Sequence, residues 1–185
     1  GKREVLVRIN GLETEWGAAD LAAVAPADPD AILIPKVESA ETIREVSARM
    51  DYHDAAVETR IWAMMETPLG VLHAPEIAAA PRMGGFVMGT NDLVKDLRAE
   101  HTPMRLPVVT ALGLCLLAAR AHDVAVVDGV YNAFRDEAGL RAACEQAREF
   151  GFDGKTLIHP AQLAVANEVF APSAEALAQA REHVA

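Results

Sequence analysis

The chain has 185 residues, of which 51% are hydrophobic and 24% charged, a composition typical of a folded globular protein. Its 17 Lys and Arg residues against 27 Asp and Glu give a net charge of -10, which argues against nucleic acid as the main partner. Two cysteines far apart in the sequence argue against a disulfide framework, and no apolar stretch approaches about 20 residues. From the residues at the start of the sequence we expect no secretory signal. We therefore expect a cytoplasmic protein.

Short apolar runs alternate with amphipathic segments along the whole chain. Near-continuous apolar runs are typical of buried parallel strands, and six are present: Val5–Ile9, Ala31–Ile34, Ile61–Met65, Phe86–Met88, Val124–Val127 and Thr156–Ile158. Helical patterns are predicted over Gly17–Val24, Ala40–Met50, Val71–Ala79, Val108–Ala121, Glu137–Phe150 and Ala161–Phe170, with a last helix running from Pro172-Ser173 to the C-terminus. A mobile loop is predicted over Asp96–Arg105.

Six strand–helix units in 185 residues average about 31 residues each, which is the size of a βα repeat. Two folds are compatible with this count: a six-stranded doubly wound sheet and a (β/α)8 TIM barrel from which two units are missing. No glycine-rich phosphate loop follows the first strand, which weakens a dinucleotide-binding interpretation. We favour the partial TIM barrel, with residues 1–185 in a single domain.

Each predicted strand ends near a polar or charged residue. In parallel α/β folds the carboxyl ends of the strands form the active-site edge of the sheet. The residues are Arg8, Asn10, Lys36, Glu38, Glu66, Asp92, Asp128 and His159. We therefore expect the catalytic and ligand-binding residues to lie at this edge of the sheet.

Glu66 and Asp92 follow consecutive predicted strands and are the predicted metal ligands. Two carboxylates completed by water and substrate oxygens suit Mg²⁺, with Mn²⁺ as the alternative ion, and no Cys/His cluster suggests zinc. The structural alternative is that Glu66 caps the helix after Pro68 and that Asp92 caps the turn at Leu93.

Arg8 lies in an otherwise apolar strand, where a buried guanidinium is costly unless it is paired. We expect it to face an anion at the barrel mouth, and an ion pair with an acid of the neighbouring strand is the alternative. Lys36 and Glu38 are two residues apart in a strand-like segment. They either pair with each other or support the metal site.

Asp128 and His159 have open roles. Asp128 either orients other groups at the strand ends or is a hydrogen-bonded turn residue, and His159, before Pro160, is more often structural. The segment Gly154-Lys155-Thr156 has the letters of a nucleotide-binding loop, but it lacks the first glycine and precedes a predicted strand. We do not interpret it as an ATP site.

Five ordered motifs resemble the citrate lyase β-subunit and malyl-CoA lyase family of the HpcH/HpaI aldolase superfamily. They are Val7-Arg8-Ile9-Asn10, Leu33-Ile34-Pro35-Lys36-Val37-Glu38-Ser39, Met65-Glu66-Thr67-Pro68-Leu69-Gly70, Gly89-Thr90-Asn91-Asp92-Leu93 and Gly154-Lys155-Thr156-Leu157-Ile158-His159-Pro160. The resemblance implies a (β/α)8 barrel that assembles as homotrimers or hexamers. Two N-terminal units and a C-terminal extension of such proteins have no counterpart here, which accounts for six strands instead of eight.

The resemblance also implies roles for individual residues. Glu66 and Asp92 are expected to bind Mg²⁺, and Arg8 is the expected catalytic residue that contacts the oxo-acid or enolate oxygen. Backbone amides around Asn91 and Asp92 are expected to bind the substrate carboxylate, so Arg8, Glu66, Asn91 and Asp92 form the expected substrate site.

The implied reaction is cleavage or formation of a carbon–carbon bond in a 3-hydroxyacyl-CoA of the malyl-CoA, citramalyl-CoA or citryl-CoA type. Its products would be an acyl-CoA and a 2-oxo acid. Three alternatives remain at this stage: a pyruvate-dependent class II aldolase, a malyl-CoA thioesterase, and a non-catalytic subunit of a lyase complex.

Overall fold

The computed structural model describes residues 3–184, in which six strands alternate with helices. The strands are β1 (Leu6–Arg8), β2 (Ala31–Ile34), β3 (Arg60–Met65), β4 (Met83–Met88), β5 (Ala125–Asp128) and β6 (Gly154–Lys155). The α-helices are α1 (Gly17–Val24), α2 (Ala40–Tyr52), α3 (Pro68–Leu72), α4 (Ala74–Ala78), α5 (Thr90–Asp96), α6 (Leu106–Ala121), α7 (Glu137–Phe150), α8 (Leu163–Phe170) and α9 (Ala174–Val184). Short 3₁₀ helices occupy Ala25–Ala27 and Pro160–Gln162.

All strand pairs are parallel, and each strand pairs with the next one in the sequence, in the order β1-β2-β3-β4-β5-β6. A doubly wound sheet reverses its strand order at a switch point, whereas a TIM barrel keeps the order of the sequence. The topology therefore rules out the doubly wound alternative and is that of part of a barrel. Within residues 3–184, β1 and β6 do not pair with each other, so the sheet is open and the barrel is not complete.

The two faces of the sheet differ in burial. On one face Ile32, Ile61, Phe86 and Val126 are fully buried against the helices. The opposite face carries half-buried apolar side chains, and the strand register places them side by side: Leu33, Trp62, Met64, Ala125 and Val127. A partly exposed apolar face of this kind corresponds to the interior side of a barrel wall.

Several predicted boundaries are confirmed, because local signals set them. Helix α2 begins after Ser39, whose hydroxyl accepts a hydrogen bond from the Thr42 amide at 3.3 Å. Helix α7 ends before Gly151, which adopts the left-handed conformation with φ of 102° that favours glycine at this position.

Other predicted boundaries are wrong. The single helix predicted over Val71–Ala79 is two short helices, α3 and α4, which meet at His73. The last strand lies at Gly154–Lys155 instead of Thr156–Ile158, and it consists of two residues.

Helix α5 was not predicted, and it begins where a turn was expected, directly after β4. Helix α9 follows Pro172-Ser173 as predicted and is described as far as Val184, while Ala185 lies outside the described residues. Among residues 3–184, no helix is both long enough and apolar enough to cross a membrane.

Candidate metal and substrate site

Two carboxylates meet at the carboxyl ends of β3 and β4. Glu66 directly follows β3 and is 5% exposed, and Asp92 lies in the first turn of α5, just after β4. Met65 pairs with Met88, and the Gly89 amide donates to the Met65 carbonyl oxygen at 3.0 Å, which fixes the two strand ends together. The structure thus brings the two predicted ligands together, while their role in metal binding stays a prediction.

The electrostatic environment of Glu66 disfavours its charge. Burial raises the pKa of this carboxyl group, and the neighbouring Asp92 raises the pKa further. A hydrogen bond from the Lys36 amide to Glu66 Oε1, at 2.9 Å, and the Lys36 ammonium act in the opposite direction without cancelling the shift. A bound cation would relieve the repulsion between the two carboxylates.

The Lys36 amide reaches Glu66 because the backbone turns sharply after β2. Lys36 has a φ of 49°, a left-handed conformation that is uncommon for residues other than glycine. Such a conformation costs on the order of 1 kcal/mol and is found preferentially at functional sites. Glu66 therefore does not cap the following helix: Thr67 does, by accepting a hydrogen bond from the Gly70 amide at 3.1 Å.

Gly89 allows the close approach of β4 to Glu66. A Cβ atom at this position would lie 2.2 Å from Glu66 Cβ and 2.8 Å from Glu66 Oε2, which is shorter than any normal contact. The φ of Gly89 is -98°, a value that any residue can adopt. Glycine is therefore required at this position because a side chain would clash with Glu66, and not because of the backbone conformation.

The available ligands fit a hard divalent cation. Glu66 and Asp92 offer only oxygen atoms, and the described part of the chain holds no group of three or more His, Cys, Asp and Glu side chains placed to bind a metal. Two protein carboxylates with the remaining positions left to water or substrate is the usual arrangement for Mg²⁺, and it is unlike a tetrahedral zinc site.

Arg8 is exposed at the carboxyl end of β1. Its Nη1 atom lies 3.9 Å from Met64 Sδ on the partly exposed face of the sheet, and no ion pair links it to a carboxylate among the described residues. The alternative of an ion pair with an acid of the neighbouring strand is therefore wrong. The positive charge of Arg8 is available to an anion.

Asn91 is exposed in the first turn of α5. Its side-chain amide exchanges two hydrogen bonds with Asn132, at 2.9 and 3.3 Å. The backbone amides of the first helical turn have no carbonyl partner within the helix. Asp92 lies in the same turn and accepts no capping hydrogen bond, so the alternative role as a capping residue is not found.

Three further polar residues lie beyond the ends of β2 and β6: Lys36, Glu38 and His159. Lys36 and Glu38 do not pair in the described structure; the Glu38 carbonyl oxygen lies 2.8 Å from His73 Nδ1, and both residues lie beyond β2. His159 accepts a hydrogen bond from the Ala161 amide at 3.1 Å and stacks on Phe134, which is a structural role.

Asp128 is fully buried at the end of β5 and is not a turn residue. Both of its carboxylate oxygens accept hydrogen bonds from Arg105 Nη1 at 2.7 Å, and Oδ2 also accepts one from Lys155 Nζ at 2.6 Å. Burial lowers the pKa of Lys155, while Asp128 opposes this shift. Asp128 therefore orients two basic side chains, Lys155 on β6 and Arg105 directly before α6.

Residues 1–160 match the family model described as HpcH/HpaI aldolase/citrate lyase. The chain belongs to this family. The resemblance found in the five sequence motifs is thereby confirmed.

Two curated relatives match all or nearly all of the chain. The (3S)-malyl-CoA thioesterase of Cereibacter sphaeroides (strain ATCC 17025) is 57% identical over 185 residues, which are 100% of this chain and 63% of that protein. The citrate lyase subunit beta of Escherichia coli (strain K12) is 33% identical over 187 residues, covering 98% of this chain and 62% of that protein. The chain thus spans somewhat less than two thirds of the length of these relatives.

A solved structure in the HpcH/HpaI family has the same fold. The citrate lyase beta subunit from M. tuberculosis, complexed with oxaloacetate and magnesium, superposes with a TM-score of 0.78 at 31% identity. The match covers 90% of this chain and 73% of that one.

Sequence reasoning missed three groups in this HpcH/HpaI family member. Arg105 was placed in a mobile loop, Lys155 was considered only as part of a rejected nucleotide-binding motif, and the Lys36 backbone amide cannot be identified from residue types. A buried lysine next to an aspartate at a neighbouring strand end would have been the only signal, and it requires the strand register to be known.

Proposed function

We propose that the chain carries the metal-binding and oxo-acid-binding part of a Mg²⁺-dependent enzyme that acts on a 3-hydroxyacyl-CoA of the malyl-CoA type. The observation that carries this proposal is the meeting of Glu66 and Asp92 at adjacent strand ends, with the unpaired Arg8 on the same edge of the sheet. The named activities of the relatives, and the magnesium in the M. tuberculosis structure, support it. We further propose that residues 1–185 belong to one barrel domain that assembles as a homotrimer or hexamer.

Glu66 and Asp92 would hold the metal in this proposal. The Lys36 amide already occupies Glu66 Oε1, so the second oxygen of this carboxylate is the natural ligand atom. The chemistry that a bound Mg²⁺ supplies is Lewis-acid polarisation of substrate oxygen atoms.

Arg8 and the first turn of α5 would bind the anionic part of the substrate. The planar guanidinium of Arg8 can grip a carboxylate or stabilise an enolate oxygen as charge develops. The substrate carboxylate is assigned to the backbone amides around Asn91 and Asp92, in the first turn of α5, as the family resemblance implies. Together these groups orient the substrate against the metal site.

Two reactions of a malyl-CoA are compatible with this site. In hydrolysis, water adds to the thioester carbonyl carbon, the carbon–sulfur bond breaks, and malate and free CoA leave. In cleavage, the hydroxyl proton is removed, the carbon–carbon bond breaks to give glyoxylate and the enolate of acetyl-CoA, and the enolate carbon takes up a proton before acetyl-CoA leaves. We place hydrolysis first because the relative at 57% identity is named as a thioesterase, and cleavage second because the citrate lyase subunit is 33% identical.

A product assay with (3S)-malyl-CoA and Mg²⁺ tests the proposal. Free thiol is measured with Ellman's reagent and glyoxylate with phenylhydrazine, in the wild type, in Glu66→Gln, and in the control Glu76→Gln, whose carboxylate is exposed on α4. Free thiol without glyoxylate supports hydrolysis, and glyoxylate without thiol supports cleavage. Absence of both products, or equal turnover in wild type and Glu66→Gln, would contradict the proposed function.

A further inference from the structure

Helix α5, which carries Asp92, has few means of holding its own first turn. It has seven residues, and Gly89 at its N-terminal end supplies no side-chain cap. Helices shorter than about 12 residues are marginally stable in water when they lack tertiary contacts. The position of the Asp92 carboxylate therefore depends on groups outside the helix.

The loop between β5 and α7, residues 129–136, supplies such a group. Asn132 Nδ2 donates to Asn91 Oδ1 at 2.9 Å, and Asn91 Nδ2 donates to Asn132 Oδ1 at 3.3 Å. Apart from the interaction of Asp92 with Glu66, no other side-chain hydrogen bond joins α5 to the rest of the described residues. The Asn91–Asn132 pair is therefore the main polar connection of this turn to another part of the fold.

Gly129, the first residue of the loop, lies against the same turn. A Cβ atom at this position would be 2.6 Å from Thr90 Oγ1 and 2.8 Å from the Met88 carbonyl oxygen, and both distances are shorter than normal contacts. The loop thus approaches α5 closely at Thr90 and is bonded to it at the next residue.

The loop is itself fixed next to Asn132. The side chain of Gln162 is fully buried; its Nε2 atom donates to the Tyr131 carbonyl oxygen and its Oε1 atom accepts from the Ile158 amide, both at 2.9 Å. The Tyr131 hydroxyl also donates to Asp136 Oδ2 at 2.6 Å. Asn132 therefore follows a residue that is attached to two other segments, and it can hold α5 from a fixed point.

Both members of the asparagine pair are uncharged, which matters beside two carboxylates. Asp92 and Glu66 already repel each other, as the raised pKa of Glu66 indicates. A carboxylate at position 132 would lose the hydrogen bond that its amide donates and would bring a third negative charge to the turn. The amide pair connects the loop to α5 without adding to the repulsion.

We propose that Asn132 is a positioning residue, which holds the first turn of α5 through the side chain of Asn91 and thereby orients the Asp92 carboxylate for metal binding. This inference rests on the proposed function, because that function makes Asp92 a metal ligand. Since both asparagine side chains are exposed, losing the pair should loosen this turn and leave the stability of the whole fold unchanged.

A double-mutant cycle tests the proposal. Asn91→Ala, Asn132→Ala and the double variant are compared with the wild type and with Asn167→Ala, which removes an exposed asparagine side chain from α8 and is the matched control. In the metal-free protein, hydrogen exchange of the Leu93 amide is followed by NMR, because this amide closes the first turn by donating to the Gly89 carbonyl oxygen at 3.1 Å. Mg²⁺ is then titrated into the same samples by calorimetry, and thermal unfolding is recorded.

We expect the Leu93 amide to exchange about three- to tenfold faster in each single variant, and the Mg²⁺ dissociation constant to rise by a similar factor, with no change in the control. The double variant should be no worse than either single variant, because both substitutions remove the same pair. Additive effects, or an Asn132→Ala protein that exchanges and binds Mg²⁺ like Asn167→Ala, would overturn the proposal. Faster exchange throughout the protein with a lower unfolding temperature would overturn it as well, because Asn132 would then stabilise the fold in general.

The outcomes separate this inference from the proposed function. Absence of Mg²⁺ binding to the wild type contradicts the proposed function, while the exchange rates of the metal-free protein still decide whether Asn132 holds the turn. Faster exchange of Leu93 with an unchanged Mg²⁺ dissociation constant contradicts the positioning role and leaves the proposed function in place.

Discussion

Replacing Gly89 by alanine should damage the metal site while leaving the fold in place. The new Cβ would lie 2.2 Å from Glu66 Cβ, whereas non-bonded carbon atoms normally lie about 3.5–4.0 Å apart, so one of the two strand ends must move by more than about 1 Å. Displacements of about 1 Å in an active site cost roughly 100-fold in rate. We expect turnover of (3S)-malyl-CoA to fall by about this factor and the Mg²⁺ dissociation constant to rise at least about tenfold.

The control for this variant is Gly113→Ala. A Cβ atom at Gly113, on α6, has no neighbour within 4 Å, so the substitution gains helix propensity of about 1 kcal/mol and creates no clash. Calorimetric Mg²⁺ titration and thermal unfolding are measured on both variants. If Gly89→Ala binds Mg²⁺ as tightly as Gly113→Ala, the close approach of the strand ends does not position Glu66, and the argument fails.

Four further outcomes are expected. Glu66→Gln and Asp92→Asn should each abolish metal-dependent turnover with little change in circular dichroism; retained turnover in either would remove that residue from the ligand set. Arg8→Lys should lower kcat/KM sharply, because an ammonium lacks the planar fork of a guanidinium, and an unchanged value would make Arg8 structural. Because the pKa of Glu66 is raised in the folded state, the folded protein binds this proton more tightly than the unfolded chain does. The free energy of unfolding of the metal-free protein should therefore fall as pH rises through that pKa. Urea unfolding at several pH values should show this decrease in the wild type and not in Glu66→Gln. Burial raises the pKa of Cys115 to about 12 and also raises that of Cys144, so neither thiol should react with Ellman's reagent at pH 8 until urea unfolds the protein, and rapid reaction would contradict the burial.

The helices and strands that could be predicted are those whose first and last residues are set by local sequence signals. Strand β2 and helices α1 and α7 match the predicted ranges, because apolar runs and local turn residues mark both ends. Helix α5 was missed because it has seven residues and follows Gly89, which offers no side chain as a cap. Strand β6 was misplaced because its two residues, Gly154–Lys155, carry no apolar pattern and are defined by pairing with β5.

The candidate site shows the same division. The proximity of Glu66 and Asp92 could be predicted, because acids after consecutive buried strands meet at one edge of a parallel sheet, while their role in metal binding stays a prediction. The partners of Asp128 could not be predicted from the sequence. Arg105 and Lys155 lie 23 and 27 residues away from it, and their contact with Asp128 depends on how a loop folds over α7. Contacts between long side chains can be predicted only when the strand register and the path of the loop are known.

The bond that holds Glu66 in place comes from the peptide group at position 36 and not from a side chain. Such a donor is insensitive to most amino-acid replacements, because every residue except proline supplies the same N–H group. What must be preserved is the bend of the main chain after β2. Alanine scanning would therefore pass over one of the groups that aim this carboxylate, and only a change to the backbone itself would reveal it.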